Sequence, residues 1–380
     1  MIGKSSYDRN LHPDGNRAKE RGLLSFLRLD TPLFIGLLLL SGFGLVVLYS
    51  ASGGDAEMIQ RQLLRLGFAF AVLLLTAQIT PAQWQRWAPF VFIAGLLMLL
   101  AVLLVGVIGK GAQRWLDFGL FRFQPSEVMK LALPLVLAWF FSIRHIPPSN
   151  RDLFFAALAI ALPVGLIAKQ PDLGTSLLVA SAGVFVLFLG GISWRLIGFL
   201  VAAATAAAPV AWHFMHDYQR QRVLTFLDPQ QDPLGSGYHI IQSKIAIGSG
   251  GAYGKGWMEG TQSHLEFLPE RHTDFIFAVL AEELGLFGVL LLLLLYLFII
   301  YRGLFIASMA QDTFSRLLAG SIILVFFVYV FVNIGMVSGM LPVVGVPLPL
   351  ISYGGTSLVT IMAGFGILMS IHSHKKLLPT

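Results

Sequence analysis

Long apolar runs recur along this chain, and they constrain its fold more than any other feature. Ten segments come close to the roughly twenty residues that a helix needs to cross a bilayer. They fall at 31–50, 61–79, 87–108, 125–143, 153–168, 173–190, 193–212, 274–301, 314–338 and 349–371. Only 12% of the 380 residues are charged, against roughly 25% in soluble domains. The sequence therefore predicts an all-α polytopic membrane protein with ten transmembrane helices.

The distribution of basic residues predicts the orientation of these helices. With the N-terminus in the cytoplasm and segment 213–273 left out, fourteen Lys and Arg residues lie in or beside the cytoplasmic loops and tails, and seven lie on the other side. Because Lys and Arg concentrate in cytoplasmic loops, this ratio predicts that both termini are cytoplasmic. The expected organisation is a cytoplasmic tail at 1–30, one transmembrane domain at 31–371 and a second tail at 372–380. A large extracytoplasmic loop, 213–273, joins helices 7 and 8.

Composition also excludes several kinds of site. The chain contains no cysteine, so disulfides, thiolate nucleophiles and thiolate metal sites are absent. The net charge of +6 matters less in a membrane protein than the placement of the basic residues. We expect no nucleic-acid partner.

Two polar motifs stand at predicted outer helix ends. The first joins Gln124-Pro125-Ser126-Glu127 to Lys130, and Glu127 and Lys130 share a helix face because they are three residues apart. They form either a local ion pair at a helix start or part of a cavity, since charges inside a membrane usually face a cavity. The second motif is Gln170-Pro171-Asp172-Leu173-Gly174-Thr175. Asp172 is either the N-cap of the next helix or an acid in the same outer cavity.

The glycine-rich run 248–256 does not match a nucleotide-binding motif. Ser249 stands at the first glycine position of a P-loop, and Gly256 replaces its Ser or Thr. Tyr253 stands where the dinucleotide pattern needs a glycine. A close turn, or a nest of backbone amides for a phosphate, remains.

An acid stands where the polar segment 213–273 meets the next apolar run. The stretch Leu268-Pro269-Glu270-Arg271-His272-Thr273-Asp274-Phe275 leads into that run. Asp274 is either the helix N-cap or a partly buried carboxylate that acts as a general base. A second seam, Ser352-Tyr353-Gly354-Gly355, permits close helix packing or a broken helix that lines a ligand site. The residue types alone leave both pairs of alternatives open.

Taken together, these motifs resemble the SEDS family (shape, elongation, division and sporulation). The resemblance extends in order over residues 31–371. Residues 170–174 and the run Gly260-Thr261-Gln262-Ser263 are more similar to the elongation subfamily than to the division subfamily.

The resemblance implies a function and a location. Family members are peptidoglycan glycosyltransferases of the bacterial cytoplasmic membrane that polymerise lipid II at its outer, periplasmic face. They work with a class B penicillin-binding protein, which supplies the transpeptidase. A lipid II flippase and a non-catalytic scaffold of the elongation machinery are the alternatives.

The resemblance also assigns roles to residues. The essential acid of the family corresponds to Asp274. Expected contacts of the substrate diphosphate or of its cavity are Arg122, Glu127, Lys130, Asp172, Lys244, Arg271, Ser352 and Tyr353. A divalent cation, Mg²⁺ or Mn²⁺, would take Glu127 or Asp172 as oxygen ligands.

Overall fold

The computed structural model describes residues 28–109, 112–117, 119, 122–215, 217–231, 236–264, 268 and 270–374. Most of the two predicted tails therefore lies outside the described residues. Within those residues the chain forms thirteen α-helices and three short strands. The helices are α1 (Thr31–Ala51), α2 (Ala56–Gln78), α3 (Pro81–Val105), α4 (Pro125–Ser142), α5 (Asn150–Lys169), α6 (Leu173–Leu189), α7 (Trp194–Phe214), α8 (Asp217–Leu227), α9 (Ser236–Ser249), α10 (Thr261–His264), α11 (Ile276–Ser308), α12 (Thr313–Val337) and α13 (Thr356–Ser373).

Each of the ten predicted apolar segments coincides with a helix, namely α1 to α7 and α11 to α13. Within the described residues, eight helices are long and apolar enough to cross a membrane, and α6 is a shorter apolar helix. The eight are α1, α2, α3, α4, α5, α11, α12 and α13. The prediction of a polytopic helical membrane protein is therefore confirmed at this level.

Side chains with hydrogen-bonding oxygens begin many of these helices. Such residues accept hydrogen bonds from backbone amides in the first turn, which have no partner inside the helix. The N-caps with this bond are Asp30, Asp55, Thr80, Ser149, Asp172, Ser193 and Asp312. In the core of the bundle, α12 packs against α4, α6, α11 and α13.

The all-α prediction is wrong at one place, the outer stretch between α3 and α4. Strands β1 (Val107–Gly109), β2 (Ala112–Asp117) and β3 (Arg122–Phe123) form a small antiparallel sheet. Pairing between the strands gives the backbone N–H and C=O groups of this stretch hydrogen-bond partners that an irregular loop of the same length would lack. The Gly119 amide and the Arg122 side chain both donate hydrogen bonds to the Asp117 carboxylate. These bonds hold the pKa of Asp117 below its ordinary value.

Segment 213–273, predicted as a large loop, contains α8, α9 and α10. The last helix also begins later than expected, at Thr356 instead of 349. The polar motif at 352–355 thus precedes α13 and lies outside it.

The helix predicted at 274–301 is longer than expected and is broken. α11 runs to Ser308, but Gly285 inside it has φ 61° and ψ −159°, a region that essentially only glycine occupies. The glycine run 248–256 lies against this break. The amides of Lys255 and Gly256 donate to the carbonyls of Glu282 and Glu283, and the Leu286 amide donates to Gly251.

These bonds decide between the two interpretations of the glycine run. The run is a close turn, because the Lys255 and Gly256 amides already serve carbonyls of α11 and are not available to a phosphate. An added Cβ at Gly285 would lie against the Gly254 amide nitrogen. We call residues 250–256 the glycine strap.

Two buried carboxylates that the sequence analysis missed lie just before the break and bond to neighbouring segments. Glu282 is fully buried, and its Oε1 accepts from Lys255 Nζ at 2.6 Å and from the Gln262 amide at 3.0 Å. Glu283 Oε1 accepts from Ser50 Oγ of α1 at 2.6 Å. The residues before the break are therefore hydrogen-bonded both to the strap and to the C-terminal end of α1.

The opposite end of α1 carries a second buried ion pair. Asp30 Oδ2 lies 2.6 Å from Arg302 Nη2 and 3.3 Å from His372 Nε2. Burial by itself would raise the pKa of Asp30, but hydrogen bonds from Arg302 and the Leu33 amide, with the neighbouring positive charges, hold it below its ordinary value. This contact joins α1, α11 and α13 at the end away from the strap.

We expect Gly285→Ala to destabilise the protein and Gly42→Ala to leave it as stable or more stable. Alanine at 285 would take a backbone conformation that costs roughly 1–3 kcal/mol and would also contact the strap. Gly42, within α1, has open space where an added Cβ would lie, and alanine is favoured over glycine in a helix by roughly 0.5–1 kcal/mol. Thermal unfolding in detergent measures both. Equal melting temperatures for the two variants would contradict the strained break.

Candidate active site

Asp274 lies just outside the helix that it was expected to cap. α11 begins at Ile276, and its N-cap position is Phe275, whose apolar side chain cannot accept a capping hydrogen bond. The interpretation of Asp274 as an N-cap is therefore wrong. Asp274 is partly buried, on a turn that leads into α11.

The backbone of this turn is held at three consecutive carbonyl groups. Tyr353 N–H donates to His272 O at 2.8 Å. Ser352 Oγ donates to Thr273 O at 2.6 Å, and Asn333 Nδ2 donates to Asp274 O at 2.9 Å. None of these three bonds uses the carboxylate of Asp274, so they fix the main chain without engaging its side-chain oxygens.

A loop between α12 and α13 forms a wall beside the carboxylate. An added Cβ at Gly345 would lie 3.5 Å from Asp274 Oδ2, and Gly345 has a φ of 73°. One residue earlier, Val344 O lies 2.8 Å from the position of an added Cβ at Gly174, in the first turn of α6. Adjacent loop residues therefore contact the Asp274 turn and the start of α6, and α6 is the helix that Asp172 caps.

A second polar cluster lies on α4 and α12. Lys130 Nζ is 2.6 Å from Glu127 Oε1, with both side chains buried, so the two residues form the ion pair that one of the two interpretations held. Lys130 Nζ also donates to Tyr329 Oη and lies 4.7 Å from the centre of that ring. Glu127 Oε2 is buried and has no hydrogen-bond partner among the described residues. The ammonium therefore has a carboxylate, a hydroxyl and an aromatic face as neighbours.

Asp172 joins this cluster to the sheet. Its Oδ1 accepts from the Thr175 amide, so it is the N-cap of α6, as one of the two interpretations held. Its Oδ2 accepts from Gln124 Nε2 at 3.1 Å and lies 3.6 Å from Arg114 Nε. Tyr329 is close enough to interact electrostatically with both Glu127 and Asp172. Capping therefore does not remove Asp172 from the polar cluster.

The expected diphosphate-binding cations lie on four different segments of the chain. Arg122 is exposed on β3 and pairs with Asp117 at 3.3 Å. Lys244 is exposed on α9, and its Nζ lies 2.7 Å from the position of an added Cβ at Gly339. Arg271 lies on the Asp274 turn itself. Lys130 is the one of these four cations that takes part in the buried cluster.

The structure thus brings the predicted residues together in two groups. Asp274, Arg271, Ser352 and Tyr353 form the first, and Glu127, Lys130 and Asp172 form the second. The loop at 344–346 lies beside Asp274 of the first group and against Gly174, in the helix that Asp172 of the second group caps.

Several residues of these groups escaped the sequence analysis. Asn333 and Tyr329 stand inside an apolar segment, where a polar side chain is a signal in itself. Arg65 carried no signal beyond its charge, yet its guanidinium lies 4.3 Å from the centre of the Tyr353 ring. Arg114 lies on β2, in the polar stretch between α3 and α4. Its contact with Asp172 depends on the sheet, which the sequence analysis did not predict.

The fit of a divalent cation to Glu127 and Asp172 can be tested on their donors. Glu127 Oε1 faces an ammonium, and both oxygens of Asp172 lie near donors of this chain. Mg²⁺ takes near-octahedral oxygen coordination and usually keeps several waters, but Lys130 would repel it. Among the described residues, no group of three or more His, Cys, Asp or Glu side chains is arranged around a common point. The cation stays a prediction that this geometry does not support.

Comparison with known proteins identifies the family. The family model for FtsW, RodA and SpoVE, described as cell cycle protein, matches residues 31–377. The chain belongs to this family. Its members include the SEDS proteins that the sequence motifs resemble, so the predicted family is confirmed.

One curated relative is the peptidoglycan glycosyltransferase MrdB of Escherichia coli K12. It is 58% identical over 353 residues, which cover 93% of this chain and 95% of MrdB. A high identity over nearly the whole length of both chains means that the similarity is not confined to the motifs.

Solved structures agree with this family. A chain from a structure described as "Structural coordination of polymerization and crosslinking by a peptidoglycan synthase complex" is 36% identical and has a TM-score of 0.80, covering 90% of this chain and 97% of the other. The rod shape determining protein RodA of Thermus thermophilus is 30% identical, with a TM-score of 0.69 over 92% and 98% of the two chains. The fold is therefore that of RodA.

The buried pair on α4 leads to a stability prediction. We expect Lys130→Met to destabilise the protein by roughly 3–5 kcal/mol, because it leaves Glu127 as an uncompensated buried charge. The double variant Glu127→Gln/Lys130→Met should recover much of that loss. Denaturant titration in detergent measures both variants. A double variant less stable than Lys130→Met would contradict the mutual compensation of the two charges.

Proposed function

We propose that this chain is a peptidoglycan glycosyltransferase that polymerises lipid II into β-1,4 glycan strands for lateral cell-wall elongation and releases undecaprenyl diphosphate. The observation that carries the proposal is the Asp274 turn, whose carboxylate lies outside the helix and whose main-chain carbonyls at residues 272–274 accept three hydrogen bonds. It occurs in a chain 58% identical to a protein named peptidoglycan glycosyltransferase.

The proposed topology has ten spans with both termini in the cytoplasm, in the bacterial cytoplasmic membrane. Residues 286–308 form the spanning part of α11, and α6 and α7 complete the ten. The sheet, the strap, α8 to α10 and the Asp274 turn then all lie on the periplasmic side. Three observations support this arrangement: the two-to-one ratio of basic residues, the even number of apolar segments in the sequence, and the position of the strap and the Asp30–Arg302 pair at opposite ends of α1.

The proposed reaction is a single displacement with inversion. The 4-hydroxyl oxygen of the acceptor N-acetylglucosamine attacks C1 of the donor muramyl sugar. The bond between C1 and the phosphate oxygen breaks, and the diphosphate leaves with the electron pair. The hydroxyl proton passes to the carboxylate of Asp274, which acts as general base. An α-linked donor then gives a β-linked product.

The geometry of the turn suits this role. A general base must stay within about 3 Å of the proton that it takes, so its position has to be fixed before substrate arrives. The carbonyls of residues 272–274 fix the backbone, and the wall at Gly345 limits the directions that the carboxylate can take.

The cations nearest the turn are the best candidates for the leaving diphosphate. Arg271 precedes Asp274 by three residues, and Arg65 stacks on Tyr353 of the same cluster. A guanidinium binds phosphate oxygens through paired hydrogen bonds. Lys130 lies deeper and is neutralised by Glu127, so its proposed role is to shape the cavity together with Asp172. Arg122 and Lys244 are proposed as contacts at the rim.

The proposed partner is a class B penicillin-binding protein. The chain matches a subunit of a structure described as a peptidoglycan synthase complex that coordinates polymerisation with crosslinking. A crosslinking enzyme would complete the wall from the strands that this chain makes. A polymerisation assay of this chain should therefore contain such a partner.

We expect Asp274→Asn to lower polymerisation of purified lipid II by about 10²–10⁴-fold, the usual contribution of positioned acid–base catalysis. The matched control is Asp55→Asn, which changes an exposed N-cap aspartate of α2 to a residue that caps equally well. Both variants should keep the wild-type melting temperature and bind the partner. A normal polymerisation rate for Asp274→Asn would sink the catalytic assignment.

The same samples separate the alternative functions. In proteoliposomes, lipid II that crosses the bilayer without forming polymer would favour a flippase. In cells, a scaffold would tolerate Asp274→Asn, whereas a polymerase would not. Polymer formation that depends on Asp274 excludes the scaffold.

The topology can be tested directly because the chain contains no cysteine. Tyr253 on the strap is 83% exposed, and Met309 between α11 and α12 is 50% exposed. A membrane-impermeant maleimide should label Tyr253→Cys in spheroplasts and Met309→Cys only after the membrane is opened. Labelling of Met309→Cys in intact spheroplasts would overturn the proposed orientation.

A further inference from the structure

Asn333 is a fully buried amide within an apolar helix. It lies on α12, four residues before the end at Val337, and none of its surface is exposed. Burying an amide costs free energy unless its hydrogen bonds are made. Its presence at this depth therefore calls for specific partners, and the structure provides two.

Both partners of Asn333 are main-chain carbonyls from separate parts of the site. Nδ2 donates to Asp274 O at 2.9 Å and to Val346 O at 2.7 Å. A carbonyl can only accept, so the nitrogen of the amide must face this pair and the orientation of the side chain is determined. Oδ1 points away and has no partner among the described residues. One side chain thus joins the Asp274 turn to the loop that forms its wall.

This link sets a distance that matters for catalysis. Val346 follows Gly345, the residue whose added Cβ would lie 3.5 Å from Asp274 Oδ2. The same loop contacts Gly174 at the start of α6 through Val344 O. If the link were lost, the Asp274 turn would keep its bonds to Ser352 and Tyr353 but lose its fixed spacing from the wall.

We propose that Asn333 is the positioning residue for Asp274: by donating to Asp274 O and Val346 O, it fixes the carboxylate relative to the loop at 344–346. Asn333 acts through Asp274 and does not itself touch the reacting atoms. The inference rests on the proposed function, because it assumes that Asp274 is the general base.

Asn333→Leu is the primary test, since leucine is of similar size to asparagine but has no donor. A misplacement of about 1 Å can cost about 10²-fold in rate, and we expect polymerisation by the complex with its partner to fall by about that factor. The control is Ser321→Ala on the same helix. Ser321 is also fully buried and donates to one carbonyl, Ala182 O, at 2.8 Å. It should keep the rate within about twofold of wild type, by the same estimate.

The pH profile separates positioning from a general loss of structure. A smaller folded fraction lowers the rate equally at every pH. A displaced Asp274 has different neighbours, which changes the pH at which the base is protonated, so the acid limb of the profile should move in Asn333→Leu and stay in place in Ser321→Ala. A normal rate, or a lowered rate with an unchanged profile, would overturn the proposal.

Asn333→Asp tests the donor role even if the leucine variant fails to fold. The ionised carboxylate has the shape of the amide but cannot donate to either carbonyl, whereas the protonated form can donate to one. We therefore expect its rate, divided by the wild-type rate, to rise as the pH is lowered from about 8 to about 6, because burial raises the pKa of a carboxylate. A ratio that stays constant over this range would count against the proposal.

The outcome for Asp274→Asn keeps the two hypotheses apart. If that variant polymerises normally, the general base is assigned wrongly and the proposed function fails first. If it is inactive while both Asn333 variants behave like wild type, only the positioning role fails.

Discussion

Backbone groups that are buried away from water must find partners within the protein, and this requirement shapes the region around the break in α11. α11 breaks at Gly285, and the carbonyls and amides freed by the break are taken up by the glycine strap. Glu282 then anchors the strap through Lys255, and Glu283 reaches Ser50 on α1. The break therefore depends on a chain of contacts that begins some thirty residues earlier in the sequence. Without the strap, a straight α11 would carry the residues before Gly285 away from their buried position.

The break has a consequence for the site. All the residues at 276–283 are buried, so the short helix before Gly285 is enclosed by the rest of the outer structure. The Asp274 turn comes immediately before this enclosed helix. Its position is thus fixed from one side by the strap and from the other by α12 and residues 352–353. A functional loop is usually positioned by a rigid scaffold, and the broken helix is the scaffold of the Asp274 turn.

The sequence was sufficient for the helices because hydrophobic runs report on the membrane directly. All ten predicted segments coincide with helices, and the Glu127–Lys130 pair follows from helical spacing alone. The break at Gly285 could not be predicted, since a single glycine in an apolar run is common in membrane helices. The same holds for the sheet, whose strands are too short to show alternation. The positions of the site residues depend on contacts between distant segments, such as Asn333 with Asp274, and no local pattern encodes such contacts.

The two polar groups of the site are held in place by different interactions. Glu127 and Lys130 compensate each other within a buried cluster, which makes their removal one at a time costly. On the Asp274 turn, the hydrogen bonds from Asn333, Ser352 and Tyr353 all end on the main chain. These three bonds fix the backbone of residues 272–274, from which the Asp274 carboxylate extends. The two groups are therefore built differently: charge compensation between buried side chains maintains the Glu127–Lys130 pair, and hydrogen bonds to main-chain carbonyls set the position of the Asp274 turn.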